Sequence, residues 1–210
     1  MKKLIATIFI ATGALSARAG GLESLENFMK TAKSGKAEFT QVVTAPAREG
    51  QAARTKTSSG TFEFERPNRF RFNYKKPFEQ TIVADGQTLW LYDVDLNQVT
   101  QRRQAAVLGS TPAALIASSA DINVLKKDFN IEAAPDKDGL LWAQATPKAK
   151  DGQLNMVKVG FRGDELVALD ILDSFGQRSV ITFSKMELNR PVPQDAFRFR
   201  PPQGVDVVKQ

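Results

Sequence analysis

Histidine and cysteine are both missing from the 210 residues of this chain. Without histidine there is no Ser-His-Asp triad, no imidazole base and no histidine metal ligand. Without cysteine there is no thiolate nucleophile, no disulfide and no zinc site of the usual kind. The serine signatures G-x-S-x-G and S-x-x-K do not occur either. No catalytic role, cofactor or metal is expected. Tryptophan and tyrosine are scarce, two of each against fourteen phenylalanines, so most rings carry no polar atom that needs a partner. No apolar run reaches the roughly 20 residues of a bilayer span.

The amino terminus has a definite pattern. Lys2 and Lys3 precede the apolar run Leu4 to Leu15, and Ala17-Arg18-Ala19 follows with small residues at the positions a signal peptidase reads. The expectation is a secretory leader over residues 1–19, cleaved to leave one domain over 20–210. Its removal would take Lys2, Lys3 and Arg18 with it and lower the net charge from +6 to about +3. Such a weakly basic exported chain is not expected to bind nucleic acid.

Leu22, Leu25, Phe28, Met29 and Ala32 recur at spacings of three and four, which predicts an amphipathic helix over 22–33 closed by Gly35. From Lys36 the period becomes two, with Ala37, Phe39, Gln41 and Val43 on one face. Residues 45–57 are polar and without period, and read as a loop. Beyond them come alternating runs: Thr61–Glu65, Arg69–Tyr74, Thr81–Ala84, Gln87–Tyr92, Asn97–Gln104, Phe129–Ala133, Leu140–Ala145, Met156–Arg162, Leu166–Asp173 and Arg178–Met186. The turns between them include Pro67-Asn68, Asp85-Gly86, Asp138-Gly139 and Asp151-Gly152, all turn chemistry. About ten such strands predict an antiparallel sheet curling toward a barrel. Ser110-Thr111-Pro112, followed by Ala113 to Ser118, predicts a second short, apolar helix. Two helices that both need apolar cover imply an α+β layer, with the helices on one face of the sheet.

Three patterns resemble sites and fail on inspection. Glu63 and Glu65 alternate with Phe62 and Phe64, as a solvated sheet face does. Asp93-Val94-Asp95-Leu96-Asn97 opens like a calcium loop but has Gln98 and Gln104 where glycine and glutamate belong. Arg69 and Arg71 alternate with Phe70 and Phe72, so charge and rings lie on opposite faces and make no stacking platform. The phenylalanines themselves remain. A face lined by Phe62, Phe64, Phe70, Phe72 and Trp90 is either a packed core or the wall of a cavity for a greasy ligand.

Five segments together resemble the LolA family, periplasmic carriers of outer-membrane lipoproteins. They are Phe39-Thr40-Gln41, Arg66-Pro67-Asn68-Arg69-Phe70, Asp85-Gly86-Gln87-Thr88-Leu89-Trp90, Thr111 to Ala117, and Pro201-Pro202-Gln203-Gly204-Val205. The resemblance implies a half-open antiparallel β-barrel of ten or eleven strands, with an α-helical lid over a hydrophobic cavity. It implies a monomer that takes acylated lipoproteins from an ATP-driven exporter of the inner membrane and delivers them to a receptor lipoprotein of the outer membrane. Residue by residue, Arg66 matches an arginine that latches the lid to main-chain carbonyls near Met29, Ile116 and Ala117. Phe70 matches a phenylalanine at the cavity mouth. Phe62, Phe64, Phe72, Trp90 and Leu115 are expected to complete the acyl-chain wall. The chain departs from the family pattern at Phe62 and Arg69. A lipid-binding sensor or receptor module with the same barrel is the alternative; a receptor would need a lipid anchor on cysteine, and a sensor a second domain.

Overall fold

The structure is a computed structural model that describes residues 20–47, 51–107, 113–117, 121–150 and 152–210. The expected leader, the helix start at Ser110-Thr111-Pro112, its end at Ser118, and Asp151 lie outside the described residues.

Helix α1 (Gly21–Thr31) leads into strands β1 (Ser34–Thr44), β2 (Thr55–Glu65), β3 (Arg69–Lys76), β4 (Gln80–Asp85), β5 (Thr88–Asp93) and β6 (Gln98–Arg103). Three short helices follow, α2 (Gln104–Val107), α3 (Ala113–Ala117) and α4 (Ile122–Asp128). The chain then returns through β7 (Phe129–Lys137), β8 (Leu140–Pro147), β9 (Leu154–Arg162), β10 (Glu165–Asp173), β11 (Arg178–Leu188) and the short β12 (Asp206–Lys209). All twelve strands form one sheet in the order β12-β6-β5-β4-β3-β2-β1-β11-β10-β9-β8-β7. Every pairing is antiparallel except β12 with β6. Two edges, β12 and β7, remain, so the barrel is not closed.

The sheet is nevertheless strongly curled. β2 and β9 are four strands apart in the order, about 19 Å on a flat sheet at the usual strand spacing. Yet the ring of Phe28 on α1 lies 6.0 Å from Phe64 on β2 and 5.9 Å from Phe161 on β9. One side chain touches both only because the sheet wraps around α1. The hairpins hold as their turn residues dictate. Asp138 and Gly139 both take positive φ (55° and 73°), the geometry of a two-residue turn matched to strand twist. Asp85 Oδ1 accepts from the N–H groups of Gln87 and Thr88 at 2.8 and 2.7 Å beside Gly86 at φ 101°.

Several boundaries differ from expectation. The loop after β1 ends at Arg54, because Thr55 pairs with Thr44 and opens β2; its first residues are exposed on both faces and carry no apolar period. The α1 helix ends at Thr31, and Gly35 is not its left-handed cap. Gly35 lies inside β1, where a Cβ would stand 2.4 Å from the Phe64 ring. The count of strands is twelve, since β12 is four exposed residues with no pattern to read. α2 and α4 add to the two expected helices, being only four and seven residues long. α4 does carry a signal: Asp121 accepts from the Asn123 N–H at 2.8 Å as an N-cap, and Lys126 and Lys127 occupy the last turn.

The start of α1 is a tight fit against the sheet. A Cβ on Gly21 would lie 2.1 Å from the backbone carbon of Trp142 on β8. Gly21→Leu should therefore push α1 off the sheet and destabilise the fold by about 2–4 kcal/mol in urea denaturation. An unchanged midpoint would mean that α1 does not seat there.

Candidate functional site: the lid and the inner face

Alternation decides which residues share the inner face. Phe62 pairs with Phe72, Phe72 with Ile82 and Ile82 with Leu91; one step along, Phe64 pairs with Phe70, Phe70 with Ala84 and Ala84 with Leu89. Phe62, Phe64, Phe70 and Phe72 are buried, at 0, 0, 2 and 6% exposure. Their rings interlock with others: Phe62 lies 4.4 Å from Phe72 and 5.4 Å from Phe183, and Phe39 lies 5.5 Å from Phe72, tilted or edge-on as ring quadrupoles prefer. Leu115 and Ile116 of α3, with Leu25, Phe28 and Met29 of α1, belong to the same cluster. Five of the six expected wall residues thus come together. The lid end of this face is filled with side chains.

Trp90 does not join them. It pairs with Val83, which pairs with Arg71, so the register puts it on the outer face. There it lies 5.6 Å from Phe199 in the C-terminal segment, beside fully buried Val83. The segment between β11 and β12 crosses this outer face: Phe197 is buried, Arg71 donates to the Arg198 carbonyl at 2.9 Å, and Asn97 donates to the Gly204 carbonyl at 2.9 Å. The expectation that Trp90 shares the phenylalanine face fails because alternation sets it opposite Leu89 and Leu91, which pair with the inward Ala84 and Ile82. One residue of register separates the faces. Glu63 and Glu65 also face outward, in ion pairs with Lys36 at 2.8 Å and Arg69 at 2.9 Å.

Arg66 follows the end of β2, where its side chain meets the ends of two helices. Nη1 donates to the carbonyls of Met29 (2.7 Å) and Ala32 (3.0 Å) at the end of α1. Nε and Nη2 donate to the carbonyl of Ile116 in α3 at 3.1 and 2.5 Å. The last carbonyls of a helix have no partner within it, and a cation suits their partial negative charge. The guanidinium also lies 5.2 Å from the Phe28 ring centre and 5.6 Å from that of Phe64. The neighbouring carbonyl, that of Ala117, accepts instead from the backbone N–H of Asn68 at 2.6 Å. Gln104, buried at 2%, extends this contact: its Nε2 donates to the Asn68 carbonyl at 2.6 Å, and its Oε1 accepts from the Gly86 N–H at 2.9 Å. Sequence reasoning misses Asn68 and Gln104 as parts of the site. The Pro67-Asn68 turn is the only available pointer.

Burial pulls the Arg66 guanidinium down from its ordinary value to about 10, which leaves it charged at neutral pH. Among the described residues its four hydrogen bonds all end on carbonyls, and no carboxylate is hydrogen-bonded to this desolvated cation. The unfolded chain binds this proton more tightly than the folded one. The group's contribution to stability is therefore lowest below about pH 10 and recovers only above it, as pH rises toward the ordinary guanidinium value.

Arg66→Leu should leave the Met29, Ala32 and Ile116 carbonyls without their donor and lower stability by about 2–4 kcal/mol. Faster amide hydrogen exchange in α1 and α3, with β9 to β11 unchanged, would report the loosened lid. The difference in melting temperature between wild type and this variant should be flat from pH 6 to 9, because Arg66 does not titrate there. A difference that changed steeply across that range would assign the effect to another group.

The family profile described as outer membrane lipoprotein carrier protein LolA matches residues 30–200. An outer-membrane lipoprotein carrier protein of Albidiferax ferrireducens is 66% identical, over 99% of this chain and all of the relative. One of Methylibium petroleiphilum is 50% identical, over 98% of this chain and 97% of the relative. Among solved structures, an uncharacterized conserved protein of Thermus thermophilus superposes with a TM-score of 0.50 at 12% identity, over 90% of this chain and 96% of that one, a likeness of fold alone.

Proposed function

The chain belongs to the LolA family of outer-membrane lipoprotein carrier proteins, and from that membership we propose that it carries acylated lipoproteins through the periplasm. On this reading residues 1–19 are a cleaved leader and 20–210 the working carrier. It receives cargo from an ATP-driven exporter of the inner membrane and hands it to a receptor lipoprotein of the outer membrane. Among the described residues no helix is long and apolar enough to cross a membrane.

The energetics call for such a carrier. A buried methylene is stabilised by about 0.8 kcal/mol, so three acyl chains of roughly 15 methylenes expose on the order of 36 kcal/mol to water. A carrier must offer comparable apolar surface and still let go. The observation that supports this reading best is the Arg66 latch over the phenylalanine face. The lid helices pack on rings through contacts that hydrocarbon can replace. The polar tie between them is a buried cation that regains water when it parts from its carbonyls. Opening therefore recovers part of its own cost, and reclosing competes with the lipid for the same surface.

A fluorescent triacylated lipopeptide tests this. Wild-type protein should hold it in solution and pass it to receptor-bearing vesicles. Phe72→Glu should abolish uptake while the protein still melts cooperatively, because an unpaired carboxylate among rings repels hydrocarbon. Arg66→Leu should load normally and release poorly. Normal uptake by folded Phe72→Glu would remove this face from the site, and wild-type release by Arg66→Leu would remove the latch.

A further inference from the structure

Gln104 stands where the chain leaves the sheet for the lid. It follows β6, opens α2 and is a buried polar side chain at 2% exposure. Its backbone N–H donates to the Gln87 carbonyl at 2.8 Å. Its side-chain amide spans two hairpin turns: Oε1 accepts from the Gly86 N–H at 2.9 Å after β4, and Nε2 donates to the Asn68 carbonyl at 2.6 Å before β3. These partners dictate how the amide is turned, since a backbone N–H can only donate and a carbonyl only accept. Leucine in its place offers neither group, and an ionised glutamate has no donor.

These bonds converge on Asn68. Its φ is 62°, in the left-handed region that asparagine tolerates. Its carbonyl goes to Gln104 at the start of α2, and its N–H goes to the Ala117 carbonyl at the end of α3, at 2.6 Å. One residue thus clips the chain's exit from the sheet to the end of α3. Two positions away, Arg66 is fixed by its own N–H on the Lys33 carbonyl at 2.8 Å and reaches the Ile116 carbonyl, one residue before Ala117. The 66–68 turn is therefore the seat of α3, held on the Lys33 side by backbone and on the Gln104 side by a side chain. Leu115, Ile116 and Ala117 are buried in the apolar cluster, so α3 has little room to follow the turn if it shifts.

From this geometry we infer that Gln104 is a positioning residue of the lid. It sets Asn68, Asn68 seats Ala117, and the Ile116 carbonyl is thereby brought into register with the Arg66 guanidinium. The functional half of this inference rests on the carrier reading: without that register α3 recloses less readily, and release of cargo slows.

Residue-resolved hydrogen exchange on the lipid-free protein tests the positioning role. Gln104→Leu should lose about tenfold in protection at the Asn68 amide and through α3, the equivalent of a net hydrogen bond. Helix α1 should keep its wild-type protection, because Arg66 still holds Met29 and Ala32. Gln104→Glu makes the tie conditional. A protonated carboxyl can donate to Asn68 and accept from Gly86, whereas an ionised one repels the Asn68 carbonyl. Burial holds this carboxyl protonated at the acid end, so α3 protection should approach wild type at about pH 4 and fall as pH rises to about 7. Wild type and Gln104→Leu, scanned in parallel, subtract the titration of Glu65, Arg69, Asp85 and Arg103 around the same turns. Loss of protection spread evenly over α1, α3 and the strands, or no extra pH dependence in Gln104→Glu, overturns the inference. A fluorescent triacylated lipopeptide supplies the functional arm. Gln104→Leu should slow its transfer to receptor-bearing vesicles several-fold, yet add little to the slowing by Arg66→Leu, since both act through the Ile116 carbonyl. Effects that multiply would overturn the link between Gln104 and the latch and leave the carrier reading in place. Failure of wild type to hold the lipopeptide would end the carrier reading, with the exchange data still deciding whether Gln104 seats α3.

Discussion

The closed lid depends on one guanidinium. Arg66 bonds to α1 and α3 at once, two helices separated in sequence by all of the first six strands. Arginine suits this place because its donors are fixed in a plane and can satisfy several carbonyls together; a lysine ammonium would have to choose among them. The arrangement is strong in number of bonds and weak in net energy. Each bond replaces one to water, and the cation is desolvated to make them. A structural bridge would be expected to place a carboxylate there. The carbonyl-only partner set gives instead an element that can part and reform.

Sheet register does the rest. Period two sends phenylalanines of β2 and β3 inward against the lid, and sends Glu63, Arg71, Val83 and Trp90 outward. The C-terminal segment partly covers that outer side through Phe197 and Phe199, with Val83 fully buried and Arg71 and Trp90 half-buried beneath it. Gln104 joins the two hairpin turns nearest the lid, which fixes Asn68 and with it the docking point of Ala117.

Most of the architecture is legible in the sequence because alternation and turn residues are local properties. Phe62, Phe64, Phe70 and Phe72 can be assigned to one face from spacing alone. Trp90 cannot, since its face depends on pairing with Val83, and pairing is not written in β5 itself. Gly35 looks like a helix cap and is a gap for the Phe64 ring, a contact between strands that sequence does not reveal. β12 and α2 are too short to show a period. Arg66 is the least legible of all: alone it reads as a surface arginine at a strand end. Only the family resemblance points to the helix termini it meets, since those lie 34 to 50 positions away.

Because the chain has no cysteine of its own, a spin-label pair can be introduced without background. Labels at Lys30→Cys on α1 and Gln87→Cys at the β4–β5 turn, both exposed positions, report the spacing between the lid helix and the hairpin that Gln104 holds. Pulsed electron resonance with and without a triacylated lipopeptide measures that spacing in both states. A single short distance that lengthens and broadens when lipopeptide binds is the result expected of a lid held by Arg66 and displaced by hydrocarbon. An unchanged distance with lipopeptide demonstrably bound would contradict it.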